Sequence, residues 1–319
     1  LAKQKANLVL VLLALIWGSM FIITKNILKV MSPFTLAALR FTIAAVILSI
    51  IFYKKLPLLL GRRIGAHCAV LGILNAAAAL LQTAGLRFTS ASNSAFITSL
   101  SVLLVPFLSA VIAGKRPRRS SAVGVVIAFA GLCLITGGPG TELNIGDLLT
   151  FFCAVSVAFY IVFVSVFVRD GEGLLLSVGQ QIVSALVCIF VLMFFAEPVF
   201  GNAAFHPALI PGLLYIGGIC TAFNNTVQVF VQKHVSPVSV ALILLLEPVF
   251  ALAFALFVRG PDGTVEVLTL GKAAGSLLIV LGAVFSELNL LDKILAAAGR
   301  FRGGKRNDKE EVFNEKMLK

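Results

Sequence analysis

Hydrophobic positions along this chain come in long blocks separated by short polar connections. The blocks fall at roughly 7–30, 33–53, 64–86, 90–112, 119–137, 144–168, 173–195, 207–232, 236–258 and 268–290. Each is long enough to cross a hydrocarbon core of about 30 Å as a helix. The pattern predicts an all-α membrane protein of ten transmembrane helices, with connections too short for a separate soluble domain. The first block follows a short basic end and lacks a small-residue cleavage pattern, so it reads as a retained span. Residues 291–319 are charged and partly amphipathic, as expected of a solvated cytosolic tail.

Inside these apolar blocks a polar seam occurs twice. Residues 81–97 read LQTAGLRFTSASNSAFI and residues 227–243 read VQVFVQKHVSPVSVALI. At an offset of 146, Gln82 falls on Gln228, Arg87 on Lys233, Ser90 on Ser236, Ala95 on Ala241 and Ile97 on Ile243. A mid-helix proline follows each seam, Pro106 and Pro248, and glycines seven apart recur as Gly124 and Gly131, then Gly275 and Gly282. The duplication divides the chain into repeats at 7–137 and 144–290. Five helices per repeat is an odd number, so the second repeat enters the membrane from the opposite side. Two inverted five-helix repeats around a shared midplane site are the ground plan of an alternating-access transporter.

Composition agrees with the blocks: 59% hydrophobic, 13% charged, mean hydropathy +1.04. The net charge of +12 would suggest nucleic acid in a soluble protein, but its distribution points elsewhere. Lys54, Lys55, Arg62, Arg63, Lys115, Arg116, Arg118, Arg119, Arg169 and Lys233 sit on connections of one side, together with Lys3, Lys5 and eight Lys/Arg from Lys293 onward. The opposite connections carry Glu142, Glu197, Asp262 and Glu266 and only Lys29, Arg87, Arg259 and Lys272 as cations. By the positive-inside rule, both termini are cytosolic in a multi-pass protein of the cytoplasmic membrane. The expected partners are the lipid bilayer and a small-molecule substrate, with no nucleic acid.

The residues also carry a family resemblance. Trp17-Gly18-Ser19 with Phe21 and Lys25, Arg40, the run QTAGLRFTSASNSAFIT (82–98) and the run SPVSVALILLLEPVFALAFALF (236–257) resemble the drug/metabolite transporter superfamily, in the form built from two EamA domains. The resemblance covers roughly 7–290. It implies transport of amino acids or related metabolites, usually outward. One departure is the Gly-Glu pair the family often places after helices 4 and 9, which here is Gly114-Lys115 and Arg259-Gly260.

Periodicity nominates the passage. In helix 8, Thr221, Asn224 or Asn225, Gln228 and Gln232 recur every three or four residues as a polar stripe. Helix 3 offers Asn75 and Gln82, helix 4 Ser94, Thr98 and Ser101, and helix 6 Ser156 and Tyr160, with aromatic and thioether surface nearby in Trp17, Met20 and Phe21. Such groups cannot face lipid without partners, so they line a cavity or hold helices together. Ionisable groups within spans are the sharper signal, since each costs about 2.5–3.5 kcal/mol on insertion scales. Glu247, directly before Pro248, is expected to form a buried pair with Lys25 or Arg40, to be a protonated carboxyl, or to serve a proton or substrate; Lys25 can also snorkel.

Little else competes. The five cysteines lack ligand spacing and read as packed thiols, and His67, His206 and His234 lie near span ends, so neither a metal nor a cofactor is expected. No nucleophile–base or metal constellation suggests an intramembrane enzyme. A receptor would not need the duplication, whereas a channel-like facilitator remains open. The small mid-membrane net charge favours an amphipathic or zwitterionic solute over a polyanion. The glycine faces of helices 5 and 10 read as scaffold or as the contact of a possible homodimer.

Overall fold

Serine and proline start two of the helices in the same way. Ser32 accepts a 3.1 Å hydrogen bond from the Thr35 amide ahead of α2 (Pro33–Ile51), and Ser236 does the same for the Ser239 amide ahead of α9 (Pro237–Phe257). The side chain satisfies an orphan N–H, and proline at the first helical position needs none. Asn144 and Asp147 close a capping box on α6 (Ile145–Phe167). The remaining rods are α1 (Lys3–Ile27), α3 (Arg62–Gly85), α4 (Ile97–Ile112), α5 (Arg119–Thr136), α7 (Gly173–Phe194) and α10 (Leu270–Glu287). Between α7 and α9, the consecutive segments Ile210–Leu214, Tyr215–Phe223 and Asn224–Gln232 make one rod, α8.

This computed structural model describes residues 3–85, 88, 94, 97–114, 118–136, 144–168, 172–194, 209–258, 265 and 267–294, without the side chains of Lys25 and Thr136. All regular structure among them is helical. Seven helices are long and apolar enough to cross a bilayer, and Ile97–Ile112 and Arg119–Ile135 are shorter apolar helices. The connections that carry Arg87, Lys115, Arg116, Glu142, Arg169, Glu197, Arg259, Asp262 and Glu266, and the tail from 295 onward, lie outside the described residues. Large apolar side chains face outward on many rods, among them Ile50, Phe107, Val126, Phe190 and Leu277. That is the surface a hydrocarbon solvent requires.

Two rods depart from a continuous α-helix. The middle of α8, Tyr215–Phe223, is π-helical, and there Thr221 Oγ1 donates to the Ile216 carbonyl at 2.7 Å, five residues back. In α9 the helix runs Pro237–Leu244, turns through Leu245 and Leu246, and restarts at Glu247. Pro248 has no N–H to return to the Leu244 carbonyl, so the interruption falls where the sequence places it. Leu100 makes a matching turn in α4.

The packing has a paired character. α5 lies along α10; α3 packs on α7 and α2 on α8; α1 packs on α9 and α6 on α4; α3 packs on α6 and α1 on α8. Gly124 meets the Gly282 carbonyl and Gly131 the Gly275 carbonyl so closely that a Cβ would stand 2.6 and 2.5 Å from them. The glycine faces of α5 and α10 are therefore occupied by each other, and a dimer would have to use other surfaces. The start of α1 and the end of α10 meet at one end of the bundle. Lys3 Nζ lies 2.9 Å from Glu287, which also accepts from Asn7 at 2.6 Å. Just after α10, Asn289 accepts from Arg118 at 3.1 Å, and Asp292 accepts from Ser120 at 2.9 Å. The first residues after 290 are thus tied to α5 rather than freely solvated.

Candidate functional site

One cavity of about 180 Å³ opens between α1, α2, α3, α4, α6, α8 and α9. Toward the end of the bundle that holds Lys3 lies a buried apolar plug that includes Leu10, Leu13, Val164, Val168, Val235 and Val238. The lining residues of α1, α2 and α3 lie instead toward the opposite end, as Met20, Phe21, Arg40, Asn75 and Gln82 do.

The wall from α1 is the Trp17-Gly18-Ser19 segment. Trp17 presents its ring to the cavity and donates its indole N–H to the Cys220 carbonyl at 2.8 Å. Ser19 shares a 2.6 Å hydrogen bond with the Tyr215 hydroxyl. Gly18 is the point where α1 touches the α9 break: a Cβ there would stand 2.7 Å from Phe250 Cβ and 3.0 Å from the Glu247 carbonyl. Each residue of the tripeptide thus fixes α1 against one of the two interrupted rods.

The two charges face the same space. Arg40 lines the cavity and donates from Nε to Thr221 Oγ1 at 2.7 Å, across the α2–α8 contact and into the π segment. Its guanidinium also lies 5.4 Å from the Phe41 ring centroid. Glu247 lines the cavity from the first turn of the outer half of α9, where the helix dipole favours an anion. Among the described residues, neither charge makes an ion pair within 4.0 Å. The direct Arg40–Glu247 pair expected from sequence is absent, and the Lys25 side chain lies outside the described residues.

The nominated polar residues divide. Asn75, Gln82, Thr98, Tyr160, Asn225 and Gln228 all line the cavity, with Gln82 donating to Thr98 at 3.4 Å. Ser101 lines it too. Ser94 instead bonds Thr150 of α6 at 3.4 Å, and Ser156 donates to the Phe152 carbonyl of its own helix. Asn224 is not in the wall: it is fully buried and donates to the Leu13 carbonyl at 3.0 Å, tying α8 to α1. Gln232 reaches the Ile161 carbonyl. The polar stripe is therefore split: Asn224 and Asn225 are adjacent in one α-helical stretch, and of the two only Asn225 shares the cavity wall with Gln228. Polar periodicity carries no signal for the apolar and small wall of Val157, Ile161, Ala241 and Leu244, nor for Cys153, a buried thiol in the lining.

Several buried polar atoms have no hydrogen-bond partner among the described residues: Asn75 Nδ2, the Tyr160 hydroxyl, Asn225 Nδ2 and both amide atoms of Gln180 and Gln181. Tyr160 and Gln180 are neighbours without hydrogen-bond geometry. Each such orphan costs about 1–3 kcal/mol, so this concentration calls for a partner outside the fixed scaffold. No group of three or more His, Cys, Asp or Glu able to hold a metal occurs among the described residues.

Comparison with known proteins places this architecture. The pattern of the EamA-like transporter family matches the chain twice, over 4–137 and 144–288. A protein of Archaeoglobus fulgidus named as an uncharacterized transporter is 32% identical over 289 residues, 89% of this chain and 86% of its own length. The uncharacterized transporter YyaM of Bacillus subtilis is 27% identical over 319 residues, covering 92% and 93%. A protein of known crystal structure, 19% identical, shares the fold with a TM-score of 0.73 over 89% of this chain and 98% of its own.

Proposed function

The chain belongs to the EamA-like transporter family, a multi-pass membrane transporter, and on that premise we propose that it carries a small amphipathic metabolite such as an amino acid by alternating access. The observation that carries this reading is the cavity: a guanidinium and a carboxylate face one shared space without pairing directly, among amides and aromatic surface. Opposite charges held apart at low dielectric attract strongly, so a solute that brings an anionic group to Arg40 and a cationic group to Glu247 gains both interactions at once. A cavity of about 180 Å³ favours a compact solute. A phosphorylated sugar would meet Glu247 as a like charge.

The inverted-repeat reading is supported by the paired contacts, since α2 on α8 answers α7 on α3, and α1 on α9 answers α6 on α4. It is supported again by turns at Leu100 and at Leu245-Leu246 in corresponding rods. Interrupted helices in matching positions of two halves are where transporter sites form. The apolar plug at one end of the cavity favours a carrier over a continuous channel. Export or exchange is the direction the family resemblance implies, with both termini on the cytosolic face.

Purified protein in liposomes tests the reading. Counterflow of a labelled neutral amino acid should saturate, and should be competed by zwitterions of similar size but not by sugar phosphates. Arg40→Gln and Glu247→Gln should each reduce it at least tenfold. Non-saturable flux, or counterflow indifferent to both substitutions, would overturn it.

A further inference from the structure

The two-fold pattern of contacts relates Arg40 to a residue with no assigned role. α2 begins at Pro33 and α7 at Gly173, so at an offset of 140 Arg40 corresponds to Gln180, the eighth residue of each helix. The packing repeats this register atom by atom. A Cβ on Gly217 would meet Ile43 Cβ at 2.7 Å and the Arg40 carbonyl at 3.1 Å; a Cβ on Gly72 would meet Val183 Cβ at 2.5 Å and the Gln180 carbonyl at 2.8 Å. The α8–α2 contact is thus the counterpart of the α3–α7 contact. Gly217 answers Gly72 at an offset of 145 and Gln228 answers Gln82 at 146, the one-residue difference falling across the π segment, and the second offset sets Thr221 on Asn75.

The halves differ at this point. On one side the latch is made, with Arg40 Nε donating to Thr221 Oγ1 at 2.7 Å. On the other, Asn75 Nδ2 and both amide atoms of Gln180 have no partner among the described residues, although Gln180 is 0% exposed. The unsatisfied groups are complementary, because the Gln180 Oε1 accepts what the Asn75 Nδ2 donates. Inverted repeats open to opposite faces by exchanging their conformations.

We propose that Gln180 and Asn75 form a second latch, open in the state described here and closed in the state facing the other side of the membrane, where Arg40 releases Thr221. The proposal rests on the alternating-access reading above. Tyr160 couples the latch to the cargo: its ring lines the cavity, and its hydroxyl lies beside Gln180 with no partner of its own. One latch carries a charge, whereas the other is neutral. The two states are therefore unequal in energy, and solute bound at Arg40 bears on their balance.

A reporter cysteine in the plug reads the equilibrium without needing a substrate. Leu13 is 1% exposed in the closed plug, so a thiol reagent reaches Leu13→Cys only when that end opens. Gln180→Met and Asn75→Leu keep the side-chain volume and remove the hydrogen bond. Each should slow labelling about fivefold, the effect of one hydrogen bond, and the two together should slow it no further. Thr221→Val removes the partner of Arg40 and should speed labelling by a similar factor. Opposite signs at Gln180 and Thr221 would not arise from general loosening of the fold. Labelling that is unchanged in Gln180→Met, or that shifts the same way in Gln180→Met and Thr221→Val, overturns the latch. Counterflow measured on the same proteins separates the two ideas. Counterflow with no labelling shifts defeats the latch alone, and opposite shifts without counterflow defeat the transport reading while the latch stands.

Discussion

Glu247 is the residue at which sequence and structure weigh differently. From sequence, a carboxylate in mid-membrane before a proline fits a structural ion pair with Arg40 or Lys25. The structure leaves it facing the cavity without a direct ion pair among the described residues, so its neutralisation breaks no fixed contact. Glu247→Gln should keep expression and the melting temperature in detergent, yet reduce transport at least tenfold and flatten its pH dependence. A large drop in melting temperature would return the residue to a structural role. Arg40→Gln is expected to behave differently. It gives up a charged hydrogen bond to buried Thr221, worth about 1.5–3 kcal/mol, so stability and transport should fall together. Gly18→Ala adds a methyl where Phe250 Cβ stands at 2.7 Å. Overpacking there should cost about 1–3 kcal/mol, visible as a lower melting temperature. The resemblance picked out Trp17-Gly18-Ser19 as a block. Its reason is visible only in three dimensions, because it depends on where α8 and α9 are interrupted.

Of those two interruptions, one was written in the sequence and the other was not. Proline announces itself, and α9 breaks where Pro248 withholds an N–H. The π segment of α8 has no comparable mark: Tyr215–Phe223 is apolar and glycine-containing, and its composition would suit an α-helix equally well. Asn225 and Gln228 line the cavity, while Asn224, adjacent to Asn225 in the same α-helical stretch and so about 100° away around the rod, turns to the Leu13 carbonyl. Asn224→Leu should accordingly loosen the α1–α8 contact and lower stability, whereas Gln228→Leu should lower transport with stability nearly unchanged. Measuring both properties in both variants checks the division, and an identical profile would defeat it. The glycines of α5 and α10 were legible as a small-residue face. Whether that face met a partner chain or its own repeat depended on long-range packing, which periodicity does not encode.

For the molecule as a whole, the spans and the membrane class were legible because hydrocarbon imposes a length and a composition that local sequence must obey. The start of α1 and the end of α10 lie together, where Lys3 pairs with Glu287 at 2.9 Å at one end of the bundle. Which side of the membrane that end faces rests on the charge asymmetry. Lys3, Lys54, Lys55, Arg62, Arg63 and Arg118 all belong to connections of this end, and moving them outward would violate the bias that sets topology during insertion. A cysteine at Arg118→Cys should therefore escape an impermeant thiol reagent in intact cells and react after permeabilisation. Val267, 72% exposed ahead of α10 and at the opposite end, should as Val267→Cys react in intact cells without permeabilisation. The native thiols give little background, since Cys68, Cys153, Cys188 and Cys220 are buried and Cys133 is only partly exposed. If Arg118→Cys reacts in intact cells while Val267→Cys does not, the molecule is inserted the other way round. The apolar plug would then close the outer face and the cavity would lie toward the cytosol.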